Sequence, residues 1–423
     1  MKATITAIYN GLQATGYYGR DYIAATEVLT DNGEITTSNS NRFVAQGRNT
    51  PGSHVGIFNA AYSNIFRANF VLKYVDGTEA SDADRARLKG NAYFLRGLCY
   101  FDLVKNYARN PAFIVNGFDL GVPIVTDAIL DVYKIEYPSR AKVGAVYTQI
   151  INDLKQAITL LDDAEAPKRA SKTSSQALLS RVSLYNGNWD DAEKYATDAL
   201  ATKVATFAAD SSSYLTKWGN GYPEMILGLG YESYESLGTD CIQGIFFRYN
   251  GITGYGDITA RAELLNDYYT NDRRRKNLIA IQTKGTQTVN YTLKYPNEKK
   301  VFGTDDIMLL RISELYLNRA EARARKAAAD EVGAMDDLNK IHVRAGLAPL
   351  AVLTGQSLVD AIWRERRLEF AFEGHRLYDL LRTGKNLVKG TTTINWDDYK
   401  LIAPIPTTEL DTNPNLKPNN PGY

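Results

Sequence analysis

Cysteine is nearly absent from this chain of 423 residues, which holds two, Cys99 and Cys241. Two such thiols build no disulfide framework and no cluster with metal-ligand spacing. Cys99 falls on a helical apolar face and is expected to be a small core residue. Histidine is scarce as well: the three, His54, His342 and His375, stand alone, with no serine elbow or zinc spacing around them. Long apolar runs are missing, and no stretch approaches the roughly 20 residues of a membrane-spanning helix. A charge surplus is missing too. Lys plus Arg (49) nearly cancels Asp plus Glu (48), so no overall field attracts a polyanion and nucleic acid is excluded as the main partner. The one dense basic run, Arg273-Arg274-Arg275-Lys276, has no aromatic ladder beside it and reads as a solvated helix end. No signal peptide opens the chain, which enters directly at Ala3-Thr4-Ile5-Thr6-Ala7-Ile8-Tyr9. That fits either a cytoplasmic protein or a chain without its export segment.

What is present is ordinary globular material, 44% hydrophobic and 23% charged, enough for a sizeable core in one large unit or in two or three smaller ones. Tyrosine is in surplus, 28 against 14 phenylalanines. A ring with a flat apolar face and a hydroxyl suits wet surfaces and binding grooves, and half-buried packing equally well. Ile57, Ala61, Ile65, Ala68, Leu72 and Val75 recur at helical steps, as do Leu88, Ala92, Leu95, Cys99 and Leu103, and then Val146, Ile150, Leu154, Ala157 and Leu161. Between the first helix and the Ile57 helix, residues 16–53 read as one long polar loop with a turn at Asp31-Asn32-Gly33. A loop of that length in a compact domain is more often functional than idle.

Gly187-Asn188-Trp189-Asp190-Asp191-Ala192, followed by Ala196 and Ala199-Leu200, places a turn glycine, an aromatic and small residues as a tetratricopeptide hairpin does. A second helix pair is expected over 307–329 and 331–345, closed by Gly346. Residues 203–305, rich in Gly and Tyr, are expected to form loops and short strands on that scaffold. The last helix, near 357–381, carries Glu365 and Glu369 on or beside its apolar stripe, where carboxylates need partners such as Arg364, Arg366, Arg367, Arg376 and Arg382. Glycosidases need two carboxylates flanking a bond, and Glu369 with Glu373, four apart, are expected to share one helical face. Nearby guanidinium groups favour the charged form, against the raised pKa a catalytic acid needs, so a salt-bridge network is the stronger reading and no hydrolytic machinery is expected. Trp396 to Ile402 reads as a short extended piece. The tail beyond it, with Pro404, Pro406, Pro414, Pro418 and Pro421, is expected to run extended over the body in a structural role.

Taken together, these segments resemble the SusD/RagB family. The tail Leu401-Ile402-Ala403-Pro404-Ile405-Pro406, with Asn413-Pro414-Asn415-Leu416 and Asn420-Pro421-Gly422-Tyr423, is similar to the family's terminal signature. So are Glu365-Arg366-Arg367-Leu368-Glu369-Phe370, Glu314-Leu315-Tyr316-Leu317-Asn318-Arg319-Ala320-Glu321-Ala322 and Arg344-Ala345-Gly346-Leu347, although His342 stands where an arginine is common. In the N-terminal half, Phe94-Leu95-Arg96-Gly97-Leu98, Phe101-Asp102-Leu103-Val104 and Gly121-Val122-Pro123-Ile124 agree. The resemblance implies a mainly α fold: one SusD-like domain over 1–423, with tetratricopeptide-like helix pairs in 1–202 and 306–382, a loop-rich ligand side with short strands in 203–305, and an extended tail over 396–423. It implies a non-enzymatic cell-surface lipoprotein of the outer membrane that captures oligosaccharides and hands them to a SusC-like TonB-dependent transporter. The lipid-accepting cysteine would belong to an anchor region missing from this chain.

Sugar binding asks for aromatic faces to stack on the pyranose and for Asn, Asp and Arg to meet its hydroxyls. The expected ligand residues are Asp31, Asn41, Arg42 and Phe43 from the early loop and Trp218, Tyr231, Tyr234 and Tyr255 from the centre; Trp189 and Trp363 are assigned to the core. No cofactor is expected, although loop carboxylates permit a structural calcium ion. The alternatives are capture of a peptide or other non-carbohydrate nutrient, a helical-repeat scaffold that binds only proteins, and a retained hydrolase. Replacing Trp218 and Tyr255 by Ala is expected to weaken glycan binding with little change in melting temperature, and unchanged affinity removes both from the site.

Overall fold

Apolar residues at helical spacing fold into the helices of the N-terminal half, seen in a computed structural model that describes residues 1–208, 210, 212, 222–247, 254–297 and 299–423. These helices are α1 (Lys2–Gln13), α2 (Asp21–Val28), α3 (Phe58–Tyr74), α4 (Asp82–Tyr107), α5 (Val143–Leu160), α6 (Lys172–Tyr185) and α7 (Trp189–Leu200). Helix α4 starts where the Ser81 side chain accepts the Asp84 N–H, with Asp82 and Asp84 in its first turn and Lys105 in its last, as the helix dipole favours. Helices α6 and α7 form an antiparallel hairpin: Gly187 turns the chain at φ +72°, Asn188 caps α7, and Ala192, Ala196 and Ala199 let the helices close together. Helices α8 (Ile312–Arg325) and α9 (Glu331–Arg344) repeat the arrangement, with Gly346 at φ +84°, and α8 packs on α7. Then come α10 (Gly355–Phe370) and α11 (Arg376–Thr383). The fold is mainly α, as expected.

The strands are short and pair in twos among the described residues. Strand β1 (Gly33–Ile35) lies antiparallel to β3 (Ile258–Ala260), β2 (Met225–Leu229) to β6 (Ile307–Arg311), β4 (Ile279–Lys284) to β5 (Gln287–Thr292), and β7 (Leu387–Lys389) to β8 (Thr392–Ile394). The largest apolar core draws on residues from Ile5 to Leu416. Cys99 is buried in it, and no helix among the described residues is long and apolar enough to cross a membrane.

Several expectations are corrected. The stretch 16–53 is not one loop, because α2 lies inside it and buries Tyr22 through Val28 on every side, leaving no amphipathic stripe to read. The helix expected from 307 begins only at 312; Ile307–Arg311 is strand, a short apolar run that periodicity cannot distinguish from helix. The helix expected over 357–381 breaks after Phe370, where Phe372 (φ +67°) and Gly374 (φ +81°) turn the chain. Tertiary contacts hold that turn: the Phe372 ring packs edge-on against Phe246, the Tyr295 hydroxyl donates to the Phe372 carbonyl (2.8 Å), and the Gly374 N–H donates to Glu27 (2.7 Å). Of the basic run, Arg273, Arg275 and Lys276 are exposed but Arg274 is fully buried, drawn in by Asp272 and α10. The tail is not wholly extended. Thr407–Thr412 is helical directly after Pro406, and Pro414–Leu416 is a single tight turn, since proline at the start of a helix forfeits no hydrogen bond. Residues 399–401 likewise form a turn instead of an extended piece.

The helix pairs and the loop side are joined by buried charge. Glu369 accepts from Arg311 (2.6 Å), Arg344 (2.5 Å) and Arg274 (3.0 Å), and Glu365 meets Arg274 (2.7 Å) and His342 Nδ1 (3.0 Å). Glu224, just before β2, takes Arg344 and Ser313. Removing one partner from such a cluster leaves the others charged and dry, at about 3–5 kcal/mol. Glu369→Gln is therefore expected to lower unfolding free energy by about that much in chemical denaturation, whereas Arg275→Gln, at an exposed position, should change it by under about 0.5 kcal/mol.

Candidate functional site

Pairing of β1 with β3 brings the early loop against the central segment, and Thr36 N–H donates to the Asp257 carbonyl (2.8 Å) where the two part. The Asp257 carboxylate then accepts the Ser40 N–H (3.0 Å) and the Ser40 hydroxyl. Ser40 Oγ in turn accepts from Arg42 Nη1 (2.8 Å), whose Nη2 donates to Asp240 (3.0 Å). The Arg42 guanidinium lies 4.1 Å from the centre of the Tyr255 ring, and Thr239 Oγ1 donates to the Tyr255 hydroxyl at 3.4 Å. Arg20 shares Asp240 (2.9 Å) and sits 5.8 Å from the Phe43 ring centre. Asn41 and Phe43 hold left-handed backbone, φ +66° and +58°. For a phenylalanine that conformation is an outlier, stored only where surroundings impose it. Arg42, with its side chain 30% exposed, and Asp240, with its side chain 50% exposed, present a guanidinium edge and a carboxylate to solvent beside a phenol ring.

A hairpin tip supports this platform from below. Lys284 Nζ donates to the carbonyls of Tyr255 (2.6 Å) and Gly256 (2.9 Å) and to Thr36 Oγ1 (3.2 Å), and lies 3.4 Å from Asp257 Oδ1. Gln287 Oε1 accepts the Thr37 N–H (2.8 Å) and hydroxyl (3.0 Å). Sequence reading missed Arg20, Ser40, Asp240, Asp257 and Lys284. A turn at Gly285 between alternating residues signals the hairpin but not which loops its tip meets.

The platform thus gathers Asn41, Arg42, Phe43 and Tyr255. The other expected site residues fall elsewhere. Asp31 is buried with Arg376 (2.7 Å) and Arg367 (3.1 Å) on its carboxylate, which ties the end of α2 to α10 and α11. Burial alone would push its carboxyl up, but the two arginines hold it below the usual range. Tyr231 is buried, its hydroxyl donating to the Gln13 carbonyl (2.8 Å). Tyr234 is 85% exposed, at the mouth of an open cleft between α1, the 167–169 turn and the 228–235 segment. Trp218 lies outside the described residues. Trp189 and Trp363 are partly buried.

Elsewhere the paired carboxylates are tied down. Glu373 is past the end of α10 and receives Arg311 (2.8 Å) and Lys294 (2.6 Å), so it does not share a helix face with Glu369. Burial opposes the charge on both, yet Arg344, Arg311 and Arg274 hold Glu369 well below the usual carboxylate range and Arg311 with Lys294 holds Glu373 down. Glu321 is likewise brought to about 2 by Arg382, although its burial opposes the charge. Among the described residues no three His, Cys, Asp or Glu side chains converge to hold a metal ion.

The chain is thus a mainly helical scaffold on which two loops distant in sequence meet at the surface, with its buried carboxylates neutralised by arginine. Residues 1–184 match a family model described as starch-binding associating with outer membrane, and residues 278–423 match the model of the SusD family. The chain belongs to the SusD/RagB family. It is 24% identical to SusD-like protein P2 of Formosa agariphila, over 100% of this chain and 92% of that one. It is 24% identical to the starch-binding protein SusD of Bacteroides thetaiotaomicron, over 85% of this chain and 77% of that one. A solved SusD superfamily protein from Bacteroides thetaiotaomicron superposes with a TM-score of 0.87 at 25% identity, covering 99% of this chain and 98% of that one.

The depressed carboxylates make stability pH-dependent. Their folded values lie below the ordinary 4.5, so the stabilisation is complete above that pH and drains away as pH falls through the folded values, about 2 for Glu321. The melting temperature should fall steadily from pH 4.5 towards pH 2, and Glu321→Gln, less stable at pH 7, should show a shallower fall by calorimetry.

Proposed function

We propose that this protein is a glycan-binding protein that captures oligosaccharides on the Arg42–Tyr255 platform for nutrient uptake. One observation carries the reading: the early loop and the central segment, expected separately to contact ligand, meet with a guanidinium 4.1 Å over a tyrosine ring and a half-exposed carboxylate beside it. Guanidinium and carboxylate are donor and acceptor forks that match neighbouring sugar hydroxyls, and an aromatic ring offers an apolar face to a pyranose. The left-handed backbone at Asn41 and Phe43 supports the same reading, since strain of this kind gathers at ligand loops. The relative named as starch-binding and the family described as associating with the outer membrane point the same way.

On this reading the chain acts as one folded unit, lipid-anchored on the outer face of the outer membrane. There it would pass oligosaccharides to a SusC-like TonB-dependent transporter, with no cofactor and no bond cleavage. The arginine-bound carboxylates favour binding over hydrolysis, because neither Glu369 nor Glu373 is free to carry a proton at neutral pH.

Affinity electrophoresis against a panel of soluble polysaccharides tests this. The protein should be retarded by at least one glycan without releasing reducing ends. Arg42→Ala should weaken that affinity by about tenfold, the scale of a lost hydrogen bond to a charged group, with the melting temperature little changed. Retention by no glycan, or unchanged retention of Arg42→Ala, would remove the platform from consideration.

A further inference from the structure

The cleft beside Tyr234 takes no part in the platform, and its lining has the elements of a sugar site. Its volume, about 630 Å³, is within the roughly 300–1,000 Å³ of small-molecule sites. Tyr234 stands at its mouth on a tight turn at 233–235, and that turn is fixed by reciprocal caps between Glu232 and Glu235. The ring is therefore presented at a set place while packing on almost nothing. Across the cleft, Asn10 on α1 and Lys168 are exposed, and neither side chain makes a hydrogen bond or ion pair among the described residues. The other charged groups of the walls are engaged: Lys299 donates to Asp306 (2.7 Å) and to the Tyr231 carbonyl (2.8 Å), Arg169 lies 4.2 Å from the centre of the Tyr9 ring, and Glu235 accepts the Glu232 N–H (2.9 Å) while the Glu232 side chain accepts the Glu235 N–H. What is left for a ligand is a stacking face, an amide and an ammonium with its donors, without a cluster of one sign to select an ion.

We propose that this cleft is a second carbohydrate site. It takes a stretch of neutral oligosaccharide, with a sugar ring on Tyr234 and hydroxyls on Asn10 and Lys168, and it holds the same glycan strand that the platform holds. This rests on the platform reading. Tyr234 is six positions from Asp240, the partner of Arg42, so backbone length keeps these two points within about 22 Å. A strand bound at one site is then presented to the other at high effective concentration, which strengthens binding only when the strand is long enough to reach both. The expected signature is dependence on chain length.

Titration calorimetry would use soluble starch, laminarin, xylan and galactomannan, their trisaccharides, and polygalacturonate as an acidic arm. For whichever neutral polymer the wild type binds, Tyr234→Ala should lose at least about tenfold in affinity for the polymer and under about twofold for the trisaccharide. Its melting temperature should not move, because the ring is exposed. Asn10→Ala should behave alike and more weakly, while Arg42→Ala should weaken polymer and trisaccharide together. Equal loss on polymer and trisaccharide, no loss on the polymer, or preference for polygalacturonate overturns the second site. Loss of the trisaccharide in Tyr234→Ala but not in Arg42→Ala overturns the platform reading and the pairing with it, and a wild type that binds none of the probes overturns both.

Discussion

Glu369 is wholly buried, and three guanidinium groups from three separate parts of the chain stand where solvent would. Arg274 lies within the loop-rich centre, Arg311 ends the strand that leads into α8, and Arg344 ends α9. A single carboxylate on α10 therefore fixes where the helix pairs stand relative to the ligand side. Glu224 and Glu373 extend the cluster by sharing Arg344 and Arg311, and Glu365 extends it by sharing Arg274. Charges buried this way add little net stability compared with apolar packing, but they tolerate few alternative arrangements, because any slip leaves an ion unpaired. The cluster specifies geometry more than it supplies energy.

The proposed ligand face repeats the device on a smaller scale. Arg42, Ser40, Asp257 and Lys284 form a chain of hydrogen bonds that runs from the partly exposed guanidinium down to the buried Asp257 and Lys284. A surface arginine is thereby tied through one serine to a buried charge pair, which holds the early loop against the central segment.

How much of this is legible in the sequence follows from the range of the forces involved. Helices α3 and α5 are legible because a half-buried helix writes its stripe locally, and α4, buried all round over 94–104, because it is long enough for its apolar residues to recur at helical steps. Helix α2 is not, since Tyr22 to Val28 are buried on all sides and the Tyr17, Tyr18 and Tyr22 hydroxyls are satisfied by Asp102, some 80 residues away. The break at Phe372 is set by Phe246, Tyr295 and Glu27, none of which is a neighbour in sequence. Arg274 reads as surface until Glu365 and Glu369 are placed beside it. At the candidate site, residue type and loop position suffice to single out Arg42 and Tyr255, but not Asp240, 198 positions from Arg42, or the lysine beneath them. Asp31, chosen by the same reasoning, proves tied to the arginines of α10 and α11, because a turn signal identifies a bend and not what the bend's carboxylate will face.

Lys284 holds the segment under the platform chiefly by its main chain. Two of the oxygens around its ammonium are the carbonyls of Tyr255 and Gly256, which every amino acid supplies alike. The socket therefore does not register which side chain stands at 255. An evolving lineage, or a designer's library, can rewrite the residue at 255 while the scaffold under it stays in place, so that the face proposed to meet the ligand changes by exchanging surface letters without refolding the page.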